Sequence, residues 1–301
     1  MLELNNLWEK VKQTSESALK CGALQPIQTE CEEVEEAGIK FQVRILSSIK
    51  QKEKAKKKQK KQVKKDKDFN PFLPYEQDLF VADISPTHVC LLNKYKVVDN
   101  HILIITRHFE EQESLLTLED FAAMQTTLTA IDGLAFYNGG KIAGASQRHK
   151  HLQLIPLPPV KNSPRIPIET LFTQQVFPPL TKGGLGGFNL TIKTVEALPY
   201  VNAIAPINPT ISPAEILATY YQLLAAVGLK IKDNQHPGAY NLLATRQWIL
   251  MIPRSQEKFK SISVNSLGFA GALLVRNSEE MELLKKIGPL TLLQKVGVAV
   301  K

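Results

Sequence analysis

The sequence predicts an α+β protein, in which strands follow one another in groups and helices are set apart from them. Strand-length apolar segments succeed each other closely at 79–84, 88–92 and 101–105, which is typical of an antiparallel meander. Apolar residues recur at helical spacing over 118–132 and again over 213–227. With 44% hydrophobic residues, the 301-residue chain can bury a substantial core. This mixture indicates the α+β class.

The first elements are a helix and two strands. Leu7 and Val11 belong to a helical pattern of apolar residues that predicts a helix over about 4–19, ending near Gly22. Extended segments are expected at 27–35 and 39–46.

The central part of the chain is expected to contain a helix followed by a strand, a glycine-rich loop and a second strand. Thr117 and Asp120 have the spacing of a capping box, and Gly133 would end the helix that begins there. Seven prolines then punctuate 156–179, which we interpret as a boundary between an N-terminal region, 1–165, and a C-terminal region, 183–301.

The C-terminal region repeats the mixture of strands and helices. Strands are expected at 200–204, 240–244, 247–252 and 269–275, and helices at 213–227 and 278–286.

The net charge of +8 comes from one segment. Eleven lysines and two acidic residues between Lys50 and Lys67 sum to +9, so the rest of the chain is close to neutral. Such a run is usually a solvated connection, although it could also draw polyanions such as polyphosphate or RNA toward a nearby site. The segment contains no aromatic residue for base stacking, which weakens an RNA-binding role.

Several classes of protein are disfavoured. Cys21, Cys31 and Cys90 are scattered and form no C-x-x-C pair, which argues against a disulfide framework and a cysteine zinc site. No apolar run is long enough to span a bilayer, and the N-terminus lacks the apolar core of a signal peptide. We therefore expect a cytoplasmic protein without a membrane partner.

The candidate site lies in the stretch YNGGKIAGASQRHKHLQ, residues 137–153. His149, His151 and Gln153 alternate with Lys150 and Leu152, so on an extended segment the first three share one face. Two histidines on one face could ligate a metal, form a structural cluster or supply a nucleophile that attacks phosphorus.

The residues before the histidines favour chemistry on phosphorus. Gly139, Gly140 and Gly144 permit close approach of the backbone, and Ser146 and Gln147 can donate to phosphate oxygens. The combination of this loop with two aligned imidazoles carries more weight than either feature alone.

The segment G-A-S-Q-R-H-K-H-L-Q closely resembles the active-site motif of the diadenosine polyphosphate phosphorylases, or ATP adenylyltransferases, in the His-x-His-x-Gln branch of the histidine-triad superfamily. The flanking blocks that resemble the same family are Asn70-Pro71-Phe72, 91–95, 100–103, Phe109-Glu110-x-Gln112, Tyr137-Asn138 and 240–243 with Trp248. The resemblance implies a histidine-triad-like antiparallel sheet with flanking helices in 1–165, and a C-terminal α+β extension in 183–301 that completes the substrate site.

The resemblance also implies an activity, the phosphorolysis of diadenosine tetraphosphate to ATP and ADP with His151 as the nucleophile. The implied substrate-binding residues are Asn93, Asn138, Gly144, Ala145, Ser146, Gln147, Gln153 and Asn241, with His149 supporting the phosphate site. A basic contact is implied near Lys50, Lys52 and Lys54, among which the sequence does not choose. A glutamine at 153, where hydrolases of the superfamily have histidine, favours transfer over hydrolysis.

The expected partners are diadenosine polyphosphates, ATP, ADP and phosphate, with no specific nucleic acid. No metal site and no tightly bound cofactor are implied, and any Mg²⁺ is expected to accompany the nucleotide. Two alternatives stay open at this point: a sugar-1-phosphate nucleotidyltransferase with the same motif, and a basic polyanion-binding or RNA-binding protein. His88 and His101 are interpreted as structural, and Trp248 as a core residue or a base-stacking residue.

Overall fold

A computed structural model describes residues 6–46, 70–158, 164–172, 191–208, 210–231 and 237–300. The lysine run between Lys50 and Lys67 lies outside these ranges, as do three of the seven prolines of 156–179, namely Pro159, Pro178 and Pro179. Within them the α+β prediction is confirmed. No helix in the described ranges is long and apolar enough to cross a membrane.

Six α-helices are present in the described ranges. They are α1 (Leu7–Lys20), α2 (Leu118–Ala130), α3 (Pro213–Ala226), α4 (Ser266–Phe269), α5 (Ser278–Ile287) and α6 (Pro289–Val296). The predicted capping box of α2 is formed: the Thr117 side chain accepts from the Asp120 main-chain N–H, and the Asp120 carboxylate accepts from the Thr117 N–H.

Thirteen strands are present in the same ranges. They are β1 (Thr29–Glu36), β2 (Ile39–Leu46), β3 (Phe80–Asp83), β4 (His88–Leu92), β5 (Ile102–Thr106), β6 (Gly133–Gly139), β7 (His151–Pro156), β8 (Ala203–Pro206), β9 (Tyr240–Ala244), β10 (Trp248–Pro253), β11 (Lys258–Phe259), β12 (Ile262–Ser263) and β13 (Ala272–Val275).

The central sheet has eight antiparallel strands in the order β3-β4-β5-β7-β6-β9-β10-β8. Strands β3 to β7 come from the first predicted region, and β8 to β10 come from the second. The two groups meet where β6 pairs with β9, with Asn138 opposite Asn241. One sheet therefore runs through both parts of the sequence, while the boundary between regions stays a prediction.

Each face of the central sheet has its own apolar core. Helices α1, α2 and α3 cover one face, where Leu152 and Leu154 of β7 are buried. The opposite face holds two separate clusters. One includes Phe136, Leu243 and Trp248 and packs against α4, α5, α6 and the small sheet β1-β2-β13. The other surrounds Phe72 and Ile105.

Some element boundaries differ from the predictions. The predicted strand 269–275 is wrong at its start, because Phe269 ends α4 and Gly271 has a positive φ of 95° before β13 begins at Ala272. The strand predicted at 200–204 is displaced to β8. Helix α2 ends at Ala130, and Gly133 is the first residue of β6. The hairpin β11–β12 and helix α6 were not predicted.

Candidate active site

His151 is the first residue of β7, an interior strand between β5 and β6. Its Nδ1 lies 2.7 Å from the main-chain carbonyl of His149. Because a carbonyl oxygen only accepts, Nδ1 carries the proton and Nε2 keeps a lone pair. Burial lowers the pKa of His151 to about 4, so the ring is neutral near pH 7.

His149 lies just before β7, in an isolated bridge with Glu111, so the expectation that it belongs to the strand itself is wrong. Its ring still lies beside that of His151, since both rings meet Phe72 edge-on, with centroid distances of 5.6 Å for His149 and 5.4 Å for His151. The isolated bridge at His149 interrupts regular strand pairing. The rings of His149 and His151 nevertheless lie on the same side, as the alternation of residues predicts.

Both ring nitrogens of His149 are held by the protein. Nε2 lies 2.8 Å from the Thr106 carbonyl, so Nε2 carries the proton. Nδ1 accepts from the Asn70 amide at 2.8 Å, and the Asn70 oxygen accepts from the Phe72 N–H at 3.0 Å. Burial lowers the pKa of His149 below its ordinary value, and the main-chain contact with Thr106 opposes that shift. The ring is therefore fixed, and so is the carbonyl that His151 uses.

Gln112 joins β7 to its neighbour β6. The regular pairing of β6 with β7 stops at Phe136 and Gln153. Beyond that point the Gln112 oxygen accepts from the His151 N–H at 2.9 Å, and its Nε2 donates to the Asn138 carbonyl at 2.9 Å and the His151 carbonyl at 3.2 Å. Sequence reasoning gave Gln112 no role, although it stands in one of the flanking blocks.

Gln153 follows His151 on the same side of β7. Its Oε1 lies 3.0 Å from Nε2 of His101, and the Nδ1 of His101 lies 3.2 Å from the Asn93 amide nitrogen. Burial lowers the pKa of His101 to about 4. His101 is thus part of the site, a contact that the sequence pattern does not show because Gln153 lies 52 residues later.

The glycine loop connects β6 to His149. Gly140 and Gly144 have φ angles of 90° and 92°, which L-residues with a side chain rarely adopt. The N–H groups of Gly144 and Ala145 donate within the loop, at 3.0 Å and 3.1 Å. Ser146 makes no hydrogen bond to another described residue, and neither does Gln147. The loop thus turns back on itself and leaves two residues able to donate to a ligand.

Asn138 and Asn241 form a buried pair across β6 and β9. The Asn241 amide nitrogen donates to the Asn138 oxygen and to the Ala143 carbonyl, both at 2.9 Å. The Ser266 N–H also donates to this Asn138 oxygen, at 2.9 Å. The Ser266 hydroxyl is the third donor to this oxygen, at 2.8 Å, while the Asn138 nitrogen has no acceptor among the described residues.

Arg254 completes this network under the loop. It donates to the Asn241 oxygen at 2.6 Å and to the Ala143 carbonyl at 3.2 Å. Ser266 and Arg254 were not predicted, because their contacts with Asn138 and Ala143 join residues more than a hundred positions apart in the chain. Contacts of Asn138 and Asn241 with substrate stay predictions.

A second buried network lies on the opposite face, behind the two site histidines. Lys150 points away from the site, is fully buried, and contacts Asp120 at 2.7 Å and Glu110 at 2.9 Å. Asp120 also contacts Nε2 of His88 at 2.9 Å. Burial opposes ionisation of Asp120, but its hydrogen bonds to His88 and Lys150 outweigh that effect and keep its pKa below the ordinary value. His88 therefore has the structural surroundings expected of it.

Aromatic residues near the site differ in exposure. Phe72 is buried against both site histidines, whereas Phe109 is 49% exposed and meets the His149 ring edge-on at 5.6 Å. Trp248 is fully buried in the apolar cluster that includes Phe136 and Leu243, and its ring N–H donates to Glu169 at 2.8 Å. Both observations support its interpretation as a core residue.

The metal interpretation finds little support in this geometry. No group of three or more His, Cys, Asp or Glu side chains in the described ranges could hold a metal ion. Both ring nitrogens of His149 are hydrogen-bonded. Of the four ring nitrogens of His149 and His151, only Nε2 of His151 keeps a free lone pair. The site is built instead to hold neutral imidazoles.

Two protein-family models match the chain. The Ap4A phosphorylase N-terminal domain matches residues 1–174, and the ATP adenylyltransferase C-terminal domain matches residues 196–299. In Saccharomyces cerevisiae, diadenosine 5',5'''-P1,P4-tetraphosphate phosphorylase 2 is 28% identical over an alignment of 243 residues, and the match covers 71% of each chain. Protein APA1 of the same yeast is 29% identical over an alignment of 210 residues, and the match covers 63% of this chain and 61% of its own.

Solved structures share the fold. Yeast Ap4A phosphorylase Apa2 in complex with AMP gives a TM-score of 0.77 at 24% identity and covers 99% of this chain and 98% of its own. The same protein in complex with Ap4A gives 0.75 at 23% identity, with 98% of each chain covered. The predicted family resemblance is confirmed. Because the first family model alone matches more than half of the chain, the protein belongs to the Ap4A phosphorylase family of ATP adenylyltransferases, which are nucleotidyltransferases.

Proposed function

We propose that this nucleotidyltransferase phosphorolyses diadenosine tetraphosphate to ATP and ADP through a covalent adenylyl group on His151. The observation that carries the proposal is the His151 tautomer. Its Nδ1–H donates to the His149 carbonyl, and its Nε2 makes no hydrogen bond to another described residue. A neutral imidazole with a directed, free lone pair is the nucleophile that this chemistry needs.

In the first step, Nε2 of His151 attacks the α-phosphorus. A nitrogen–phosphorus bond forms, and the bond from that phosphorus to its bridging oxygen breaks. The oxygen leaves with its electron pair as part of ATP. The imidazole becomes cationic, with its Nδ1–H still donating to the His149 carbonyl, which stabilises the charge.

In the second step, an oxygen of inorganic phosphate attacks the same phosphorus. The nitrogen–phosphorus bond breaks, its electron pair returns to Nε2, and ADP leaves. His151 is neutral again with its proton still on Nδ1, so the ring neither gains nor loses a proton during turnover. An attack by water at this point would give AMP instead.

The surrounding groups have roles that agree with their geometry. The Gln153 nitrogen, which has no acceptor in the described ranges, would donate to an oxygen of the reacting phosphoryl group. The Asn138 nitrogen, Ser146 and Gln147 would hold the neighbouring phosphates. Gly144, Ala145 and Asn241 would shape the loop around them, while Asn93 and His149 would orient the rings. Lys50, Lys52 and Lys54, one of which would contact the substrate, lie outside the described residues.

Product analysis tests the proposal. Purified protein, diadenosine tetraphosphate and ³²P-labelled phosphate should give unlabelled ATP and ADP labelled at its β-phosphate. Labelled substrate without phosphate should leave a covalent adenylyl group on the protein. The His151→Ala variant should lose this label, and its turnover should fall by at least about a thousandfold, because the attacking atom is gone.

The matched control is His108→Gln. The His108 side chain is exposed and makes no hydrogen bond to another described residue, so its loss should leave the covalent label intact. Formation of AMP in place of ADP would show that water is the acceptor. Transfer of a uridylyl group from a uridine nucleotide to a hexose-1-phosphate would instead favour the sugar-phosphate alternative, and a fully active His151→Ala variant would refute the covalent mechanism.

A further inference from the structure

A directional series of hydrogen bonds leads from the main chain to the free amide of Gln153. The Tyr95 N–H donates to the Asn93 oxygen at 3.2 Å. A main-chain N–H is always a donor, so it fixes the Asn93 oxygen on that side and the Asn93 nitrogen on the other. That nitrogen lies 3.2 Å from Nδ1 of His101. Nδ1 must therefore accept.

The same logic continues through the His101 ring to Gln153. A neutral ring whose Nδ1 accepts carries its proton on Nε2. Nε2–H then donates to the Gln153 oxygen, 3.0 Å away. The Gln153 nitrogen is left facing away from His101, and it has no acceptor among the described residues. Each hydrogen bond in the series therefore decides which atom donates and which accepts in the next one; we call this order the polarity of the series.

The surroundings keep His101 in the orientation and the charge state that this series needs. The Asn93 N–H donates to the His101 carbonyl at 2.9 Å, which closes the β4–β5 connection and holds the two residues together. The His101 ring also contacts Phe136, with ring centroids 5.7 Å apart. Burial favours the neutral form, with a pKa of about 4. A protonated ring would turn Nδ1 into a donor facing the donor of Asn93.

We infer that His101, oriented by Asn93, is a positioning residue that presents the Gln153 amide nitrogen, rather than its oxygen, to the reacting phosphoryl group. The inference rests on the proposed function, since it concerns the same phosphoryl transfer. A reversed Gln153 would place a carbonyl oxygen against phosphoryl oxygens, and two acceptors repel each other. His101 touches no reacting atom and acts through Gln153 alone.

This dependence can be measured with a double-mutant cycle. Gln153→Ala should lower kcat for phosphorolysis by about a hundredfold, because one donor to the transition state is lost. His101→Leu should lower kcat by about tenfold to a hundredfold, with a smaller change in KM. In the double variant, adding His101→Leu to Gln153→Ala should cost less than about twofold, since there is no amide left to orient.

His101→Gln supplies the matched control and guards against misfolding of His101→Leu. A glutamine can accept from Asn93 through its oxygen and donate to Gln153 through its nitrogen, so the polarity of the series is retained. It should recover most of the activity lost in His101→Leu. A purely structural role for His101 would give losses that multiply in the double variant, and that result would overturn the inference.

The tautomer can be observed independently of activity. Nitrogen-15 NMR of the wild type near pH 7 should show His101 neutral, with Nε2 protonated and Nδ1 bare. A proton on Nδ1 would overturn the inference whatever the substrate is. Failure of the wild type to release ATP and ADP would instead refute the proposed function, and the tautomer measurement would still decide whether the series exists.

Discussion

At the scale of single residues, two asparagines set the states of two site histidines by the same device. Asn70 and Asn93 each accept, through the side-chain oxygen, the N–H two residues later, and each offers its nitrogen to Nδ1 of a histidine. The local turn needs only a short sequence signal, but the histidine partner of Asn70 lies 79 residues away. The sequence thus predicts the histidines and leaves their tautomers to the fold.

The pH dependence of adenylylation tests the charge state of His151. Only the neutral ring attacks, and burial lowers its pKa to about 4, although the hydrogen bond to the His149 carbonyl opposes that shift. The rate of covalent labelling without phosphate should therefore stay constant from pH 8 to about pH 5 and fall only near pH 4. An acid limb centred at pH 6.5, the ordinary value for histidine, would contradict the assignment.

Stability should respond to the same shift and must be followed in parallel. Between about pH 4 and pH 6.5 the unfolded chain binds protons at His101 and His151 that the folded protein does not bind. The free energy of unfolding is therefore largest above pH 6.5 and decreases as the pH falls toward 4. Circular dichroism at each pH separates loss of fold from loss of the nucleophile.

At the scale of elements, the segment that carries the site histidines is held by ion pairs on the opposite face of the sheet. Lys150 lies between the two site histidines in sequence and binds Asp120 of α2 on the opposite face. Asp120 also caps α2 through Thr117, so one carboxylate links the helix start, His88 and, through Lys150, the segment that leads into β7. Alternation along the sequence predicts that Lys150 points away from His149 and His151, but it does not reveal the buried carboxylate that makes this placement stable.

Lys150→Met should therefore destabilise the protein strongly. It removes the cation between two carboxylates, and Asp120 would remain buried with only His88 and Thr117 as partners. The expected loss is about 3 kcal/mol in the free energy of unfolding, measured in urea. Adding Asp120→Asn should recover part of it, because the unpaired charge is then gone.

The control is an exposed ion pair of similar length. Lys20 contacts Glu16 at 2.6 Å on the surface of α1, with both side chains more than two-thirds exposed. Lys20→Met should change the free energy of unfolding by less than about 0.5 kcal/mol. Equal effects of the two substitutions would show that the Lys150 network contributes no more than a surface pair.

Elements that the sequence predicts well are those with a long, regular pattern. Helices α2 and α3 begin at capping boxes that can be recognised from four residues each. The predicted strand 269–275 is wrong at its start because an apolar run of this length fits a short helix, a turn or a strand equally well. The change from helix to strand occurs at Gly271, whose positive φ of 95° ends α4 before β13 starts.

At the scale of the whole molecule, the C-terminal part of the chain supports the glycine loop of the N-terminal part. Strand β9 extends the central sheet beyond β6, and Asn241 and Arg254 both donate to the Ala143 carbonyl inside the loop. These contacts join residues 98 and 111 positions apart. Spacing along the sequence cannot predict them, because they arise only when β6 and β9 pair in the observed register.

Gly144 is the point at which this support can be tested. A Cβ at Gly144 would lie 2.8 Å from the Val264 carbonyl oxygen and 2.9 Å from the Asn265 Cα, both in the main chain just before α4. Gly144→Ala should therefore push the loop away from the C-terminal part as well as strain a φ of 92°. We expect kcat/KM to fall by at least about a hundredfold with secondary structure retained, because the phosphate donors are displaced.

Gly228→Ala separates the two effects. Gly228 follows α3 with a similar φ of 79°, and a Cβ added there would meet nothing within 4 Å, so the substitution strains the backbone without a clash. It should cost about 1 kcal/mol of stability and leave kcat/KM within about twofold of the wild type. If Gly144→Ala behaved in the same way, the C-terminal contacts would not position the loop. A selective loss of kcat/KM in Gly144→Ala would instead show that both parts of the sheet must be present for the phosphate site to form.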